Sequence, residues 1–385
     1  SLKLLDFKVF FKRLLLGSCL TIVSMQTALA APEPTQNCPT ANSISKTFSS
    51  GALWKMCAEM RPAEGLVLSQ VYYAAPNKTP RRVLGEASLS QLEILTDNTT
   101  APSYVVTQQG LGKNTISLTL SDCPQGNLKF LAGKSICRST QAYGYQYKFD
   151  NQRQGSFFEL VTSYAISSRT YSLRWRFYEN GIIEPGLGIS GQLTKAADKS
   201  LENFTAHAGW RLDFDLGTTG NDDQLLQVTS TPSEDRLTKA VSIDYPNKEF
   251  GANEDPEIKR FWVIRDGNTP LEGISIPSYD IVPNNYNYSR LNSLNEPWLQ
   301  KDIYVSRYNA CERYATDNRL SNCPVKTNNL AKYVSNKELI GSADSVIWYR
   351  QTYHHVARND DNGKLGTIWS SFQLVPRDWH SQNQF

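Results

Sequence analysis

Two aspartates, Asp213 and Asp215, stand two residues apart in the segment Gly209–Leu216. On a strand that spacing sends both carboxylates to one face, roughly 7 Å apart. Like charges so placed repel unless a cation or an arginine lies between them. The pair reads either as a solvated strand face or as part of a site for a hard cation. Histidine, the usual ligand and proton carrier, is scarce: His207, the adjacent His354 and His355, and His380 are the only four. There is no Gly-x-Ser-x-Gly elbow, no phosphate-cradling glycine loop and no His-Glu-x-x-His pattern, so hydrolase, kinase and dinucleotide chemistries have no support.

The elements that must carry these residues are strands. Runs rich in aromatic and β-branched residues fall at Gly65–Tyr73, Arg82–Leu95, Ile116–Leu120, Phe157–Ser167, Tyr171–Phe177 and Trp210–Leu216. Further runs fall at Phe261–Ile264, Asp302–Tyr308 and Val346–His355, and turn residues separate them. Asn180-Gly181 between two such runs marks a hairpin. Long helical periodicity and internal repeats are absent. The expectation is an all-β fold, a large antiparallel β-sandwich with long loops.

The 385 residues carry a formal charge of +3, but Lys3, Lys8, Lys12 and Arg13 against Asp6 account for it; the remaining chain has 36 basic and 36 acidic residues. That balance excludes a nucleic-acid or anionic-membrane partner. The basic residues precede an apolar stretch, Leu14–Met25, that ends in Ala28-Leu29-Ala30, the pattern of a cleaved secretory signal and too short for a transmembrane helix. The expected organisation is a signal peptide over 1–30, an arm over 31–50 and one β-sandwich domain over 51–385. A periplasmic or secreted location follows; lipidation at Cys19 is the competing reading. Beyond Cys19 six cysteines remain: Cys38, Cys57, Cys123, Cys137, Cys311 and Cys323. With no Cys-x-x-Cys pair to suggest zinc, they read as three disulfides, and pairing of sequence neighbours is the simplest of the 15 arrangements.

Several collinear stretches resemble the catalytic domain of copper amine oxidases. They are Arg61–Leu68 with Arg81–Leu84 and Ala87–Leu89, Asp122–Cys137, Trp175–Ile183, Arg211–Asp215, Val305–Tyr314 and Asp344–Arg358. The resemblance runs from about residue 51 to about residue 380, with no counterpart of the family's small N-terminal α/β domains. It implies a disulfide between Cys123 and Cys137, and a homodimer by analogy.

The resemblance also implies an active centre, and this chain departs from it. The tyrosine that matures to topaquinone lies six residues before the Trp of the Trp-x-Phe strand. Counting back from Trp175 gives Arg169, with only Tyr171 matching the motif's second tyrosine. The His-x-His copper pair falls on Phe204 and Ala206, leaving His355 as the vestigial third ligand. His207 is one residue out of register, which turns a strand side chain to the opposite face; a rebuilt metal site would use His207, His354 and His355. The catalytic base falls near Tyr104 or Val105, and no Asp or Glu occurs between Asn98 and Ser121. The family's first calcium site is matched by Asp213, the Phe214 carbonyl, Asp215, Asp344 and the Ser345 carbonyl. The second resembles Glu254, the Tyr333 carbonyl, Asn336 and Glu338.

The expectation is therefore an exported, calcium-stabilised homologue that lacks copper and topaquinone, has no catalytic residues, and binds a protein or small ligand in the former cleft. Arg169 on the cleft floor would favour an anionic ligand. The competing expectation is an active primary-amine oxidase that uses a rebuilt metal site or the Asn285–Tyr288 motif and releases hydrogen peroxide.

Overall fold

Side chains in the Arg169–Tyr178 strand alternate up to its last residue: Tyr171, Leu173, Trp175 and Phe177 are buried while Thr170, Ser172, Arg174 and Arg176 are half-buried. This period of two recurs along the chain and produces two large sheets whose inner faces meet. The structure is a computed structural model. It describes residues 34–97, 103–194, 201–232, 234, 239–267, 276–283, 296–316 and 329–379.

The first sheet has the order Ser43–Thr47, Leu53–Arg61, Gly65–Ala74, Arg81–Thr96, Phe204–Phe214, Ser345–His355, Ile303–Arg307, Phe250–Ala252, with Ser103–Val105 added beside Arg81–Thr96. The second runs Lys239–Asp244, Gln224–Pro232, Phe261–Arg265, Ser278–Val282, Gln373–Arg377, Ile183–Gln192, Arg169–Tyr178, Gln152–Ile166, Lys134–Lys148, Gly126–Leu131. Lys364–Ser371 pairs with Ile183–Gln192, and Thr115–Ile116 with Gln152–Ile166. The pairings that frame the site are antiparallel. The expected antiparallel sandwich is what the chain forms.

Aromatic contacts join the sheets. Trp175 of the second sheet meets Trp210 of the first edge-on at 5.3 Å, and Trp54 of the first packs on Phe177 of the second at 5.1 Å. Such pairs contribute about 0.5–1.5 kcal/mol each beyond the area they bury. The Tyr164 hydroxyl reaches across to accept the Leu66 N–H at 2.8 Å. A smaller core on the outer face of the first sheet gathers Trp298, Leu299, Tyr304, Leu330, Tyr333 and Trp348.

Most strand expectations match the structure, and the differences have local causes. Ile116–Leu120 does not continue as a strand. Only Thr115–Ile116 pairs, and Thr119 with Asp122 closes a capping box that bends Leu120–Asp122 into a 3-10 turn. The strand expected at Trp210–Leu216 begins at Phe204, because the whole segment lies between two partner strands. The arm expected over 31–50 is sheet in its second half, where Ser43–Thr47 pairs with Leu53–Arg61. The hairpin at Asn180-Gly181 is present, with Phe177 opposite Ile183 and Gly181 at φ +92°.

Disulfides join Cys38 to Cys57 and Cys123 to Cys137; Cys311 is also disulfide-bonded. Cys19, Cys323, His380, the Asn285–Tyr288 motif and segment 1–33 lie outside the described residues. Among the described residues, no helix is long and apolar enough to cross a membrane.

Candidate functional site

Strand register decides which side chains share a space. In Phe204–Phe214 the even-numbered residues Phe204, Ala206, Ala208 and Trp210 enter the core between the sheets. Thr205, His207 and Gly209 therefore face the other way. Phe204 lies opposite His355 and Thr205 opposite His354 on the Ser345–His355 strand. The three histidines accordingly do not converge. His207 is buried on the outer side, where its Nδ1 lies 3.1 Å from Arg350 Nη1, and burial together with that guanidinium pushes its pKa down to about 3. His354 is exposed and its Nδ1 meets Thr205 Oγ1 at 2.7 Å. His355 is buried and its Nε2 lies 3.0 Å from Asp361 Oδ2.

Of the positions that the resemblance assigns to base (near Tyr104 or Val105), quinone (Arg169) and copper pair (Phe204 and Ala206), Tyr104, Arg169 and Phe204 are in contact. Arg169 Nη1 donates to the Tyr104 hydroxyl at 2.9 Å, and its guanidinium lies 4.5 Å from the centre of the Phe204 ring. The Phe204 ring is 5.6 Å from that of His355. Arg169 Nη2 is ion-paired to Glu202, whose carboxylate also accepts the Thr194 N–H at 3.2 Å. Both partners are buried, Arg169 at 5% and Glu202 at 3% exposure. Burial, with Tyr104 adding to it, raises the Tyr171 hydroxyl well above its ordinary range, so it stays protonated. Arg169 is thus no open cationic floor for an anionic ligand: its charge is neutralised by Glu202 and covered by an aromatic ring. A guanidinium cannot be oxidised to a quinone, and a phenyl ring offers no lone pair to copper, so these residues do not fit either group. A cavity of about 370 Å³ opens nearby, lined by His354, His355, Arg358, Ile368 and Trp369 among others.

The acidic residues are brought together. One oxygen each from Asp213, Asp215 and Asp344 lies within 4.8 Å of the others. Strand Phe204–Phe214 delivers Asp213 at its end, Asp215 follows one residue beyond, and Asp344 precedes the neighbouring Ser345–His355 strand. Phe214 and Ser345 flank these carboxylates in the chain and are buried. Asp213 Oδ1 and Asp344 Oδ1 are buried without a hydrogen-bond partner among the described residues. Burial, then the Asp215 charge, raises Asp213 well above the carboxylate range. Burial raises Asp215 to about 6 against the opposing pull of Arg82, 3.7 Å away. A hard cation with oxygen ligands fits this donor set.

The second expected calcium set is placed differently. Glu254 accepts the Tyr349 hydroxyl at 2.7 Å, and its N–H donates to Asp302 Oδ2. The acid bound to Glu338 is instead Glu249, through Glu249 N–H to Glu338 O at 3.0 Å and Glu338 N–H to Glu249 Oε2 at 3.1 Å. Glu312 is raised to about 7 by burial and by the charges of Glu249 and Glu338. Tyr333 closes a single helical turn and is buried, and Asn336 ends the 3-10 turn that follows. Glu249 and Glu312 lie outside the set that the resemblance implies, and no local pattern in the sequence links either of them to Glu338.

Sequence reading missed a second compact triad, Asp222, Asp223 and Asp266, again with donor oxygens within 4.8 Å. The Asp222-Asp223 pair after a Gly-rich turn was a readable signal; Asp266, more than 40 residues away, was not. Among the described residues these two triads are the only such groups of His, Cys, Asp or Glu, and neither contains a histidine.

A two-sheet antiparallel sandwich with carboxylate clusters at its strand ends and a buried polar centre beside His355 defines a class of large β domains. The chain belongs to the copper amine oxidase family: residues 50–385 match the family's enzyme domain. It is 23% identical to a primary amine oxidase of Arthrobacter sp. (strain P1) over 86% of this chain and 58% of that protein. It is 22% identical to a copper-containing diamine oxidase of Nicotiana tabacum, over 86% and 49% respectively. The chain thus spans about half to three-fifths of these relatives. The solved structure of a copper-containing benzylamine oxidase from Hansenula polymorpha superposes with TM-score 0.74 at 16% identity, covering 93% of this chain and 64% of that one. An Aspergillus nidulans amine oxidase gives 0.71 at 17%, covering 94% and 55%. These likenesses concern the fold.

Proposed function

We propose that this chain is a non-catalytic member of its family: an exported, calcium-stabilised protein that binds a partner or small ligand rather than oxidising amines. One observation carries the reading. The resemblance puts the base near Tyr104 or Val105, the quinone at Arg169 and the copper pair at Phe204 and Ala206, and of these Tyr104, Arg169 and Phe204 pack into one satisfied cluster with Glu202. Losses at three separate places would leave unrelated replacements; here the replacements complete one another. The disulfides agree with an oxidising compartment. The first acidic triad supports calcium through its orphaned oxygens at Asp213 and Asp344. A ligand would use the cavity beside His354, Arg358 and Trp369, where an aromatic face and a guanidinium offer stacking and an anion contact.

The test combines metal analysis of the purified protein with phenylhydrazine titration. Calcium without stoichiometric copper and no hydrazone absorbance are expected. Copper near one per chain with a titratable carbonyl would overturn the reading.

A further inference from the structure

Residues 215–223 carry the chain from the first sheet to the second, leaving the Phe204–Phe214 strand and entering Gln224–Pro232. At the near end of this crossover stand Asp213 and Asp215. At the far end, Asp222 and Asp223 meet Asp266, which directly follows the Phe261–Arg265 strand; Gln224 and Arg265 are paired there. All three carboxylates are buried, Asp223 to 1% exposure.

Local bonds hold each one in place. Asp223 Oδ2 accepts the Leu216 N–H at 3.0 Å, and Asp222 Oδ2 accepts the Thr219 hydroxyl at 2.8 Å. The backbone of Gly217 passes so close to Asp266 that a Cβ there would stand 2.2 Å from its Oδ2. What these bonds leave over is informative. Asp222 Oδ1 and Asp223 Oδ1 are buried and have no hydrogen-bond partner among the described residues. A buried carboxylate oxygen left unpaired is costly, and here two of them stand beside a third buried carboxylate, with donor oxygens within 4.8 Å of one another, so repulsion adds to the cost. A cation satisfies all three at once. The donors are oxygen only, which selects a hard divalent ion. Three buried protein carboxylates favour Ca²⁺, which takes most of its ligands from protein oxygens, over Mg²⁺, which keeps several waters.

We propose that Asp222, Asp223 and Asp266 bind a calcium ion of their own, separate from any ion held by Asp213, Asp215 and Asp344. The crossover between the sheets is then tied at both ends. The inference stands whether or not the chain oxidises amines.

The experiment uses the full chain, stripped with chelator and re-equilibrated in millimolar calcium, with metal content measured for wild type, Asp223→Asn and Asp213→Asn. Wild type is expected to hold one calcium more than Asp223→Asn, and Asp213→Asn to lose a different one. Crystals of the wild type soaked in terbium are expected to show an anomalous peak among the three carboxylates. Equal calcium in wild type and Asp223→Asn would overturn the proposal, as would the absence of that peak. The crystal measurement decides the matter if the variant does not fold. Loss of calcium in Asp213→Asn alone leaves the first triad's reading intact while removing this one.

Discussion

The guanidinium of Arg169 lies 4.5 Å above the Phe204 ring and is ion-paired to Glu202, with all three side chains buried. Removing one member of such a pair strands the other's charge. Glu202→Ala is expected to destabilise the protein by about 3–5 kcal/mol, whereas replacing both Arg169 and Glu202 by apolar residues costs much less than the two single changes added. Urea unfolding of the four proteins in the cycle measures this; additive losses would contradict it.

Glu93 and His207 make stability depend on pH in opposite senses. Burial and then the Glu296 charge push Glu93 up to about 8. An unfolded glutamate titrates near about 4.3, so the folded protein holds the extra proton between these values and loses stability as pH rises through them. His207, pushed down to about 3, remains neutral when folded. Its unfolded ring takes a proton below about pH 6.5, so stability is lost as pH falls below that point. Between about pH 6.5 and 8 the carboxyls act without the histidine, with Glu312, raised to about 7, sharing the slope with Glu93. Tm is expected to fall over that interval, and Glu93→Gln to flatten the decline. A variant curve as steep as the wild type's would refute the assignment.

Calcium should report on the first triad directly. An ion at about one hundred times its Kd stabilises the folded state by about 2.7 kcal/mol. Chelation is expected to lower Tm, and Asp344→Asn to remove the first triad's share of the difference between calcium-loaded and chelated protein, leaving the share of Asp222, Asp223 and Asp266. Calorimetry with and without EDTA tests this, and an unaltered calcium response in the variant would contradict it.

The Cys123–Cys137 bridge closes a loop with a sequence separation of 14. Loops of that size are stabilised by about 3 kcal/mol through the unfolded chain. The double change to serine at Cys123 and Cys137 is expected to lower the urea midpoint by a corresponding amount; an unchanged midpoint would argue against it.

The sandwich was legible because side-chain alternation is a local property: Tyr171 to Phe177 announces its strand without reference to any neighbour. The displacement of His207 was legible for the same reason, since one residue of offset reverses a strand side chain. Tertiary partners were not. Nothing near Arg169 in sequence points to Glu202, which is brought to it by the fold, and nothing near Asp222 points to Asp266. Glu249, whose N–H and carboxylate both reach the Glu338 main chain, stands five residues before Glu254, and nothing in the sequence around it marks that contact. Leu120 fell outside a strand because the Thr119–Asp122 side-chain bonds outcompeted ladder pairing there.

The carboxylate of Asp215 lies between two glycines: a Cβ on Gly85 would come within 2.2 Å of Oδ2, and one on Gly220 within 2.4 Å of Oδ1. Only bare backbone on either side lets this carboxylate stand where it does, with main chain close on both flanks. A pocket that cannot contract measures the radius of whatever enters it, so lanthanides close in size to Ca²⁺ should substitute while the smaller Mg²⁺ finds oxygens it cannot draw inward. Discrimination between ions would then arise from the missing side chains at residues 85 and 220 as much as from the ligands themselves.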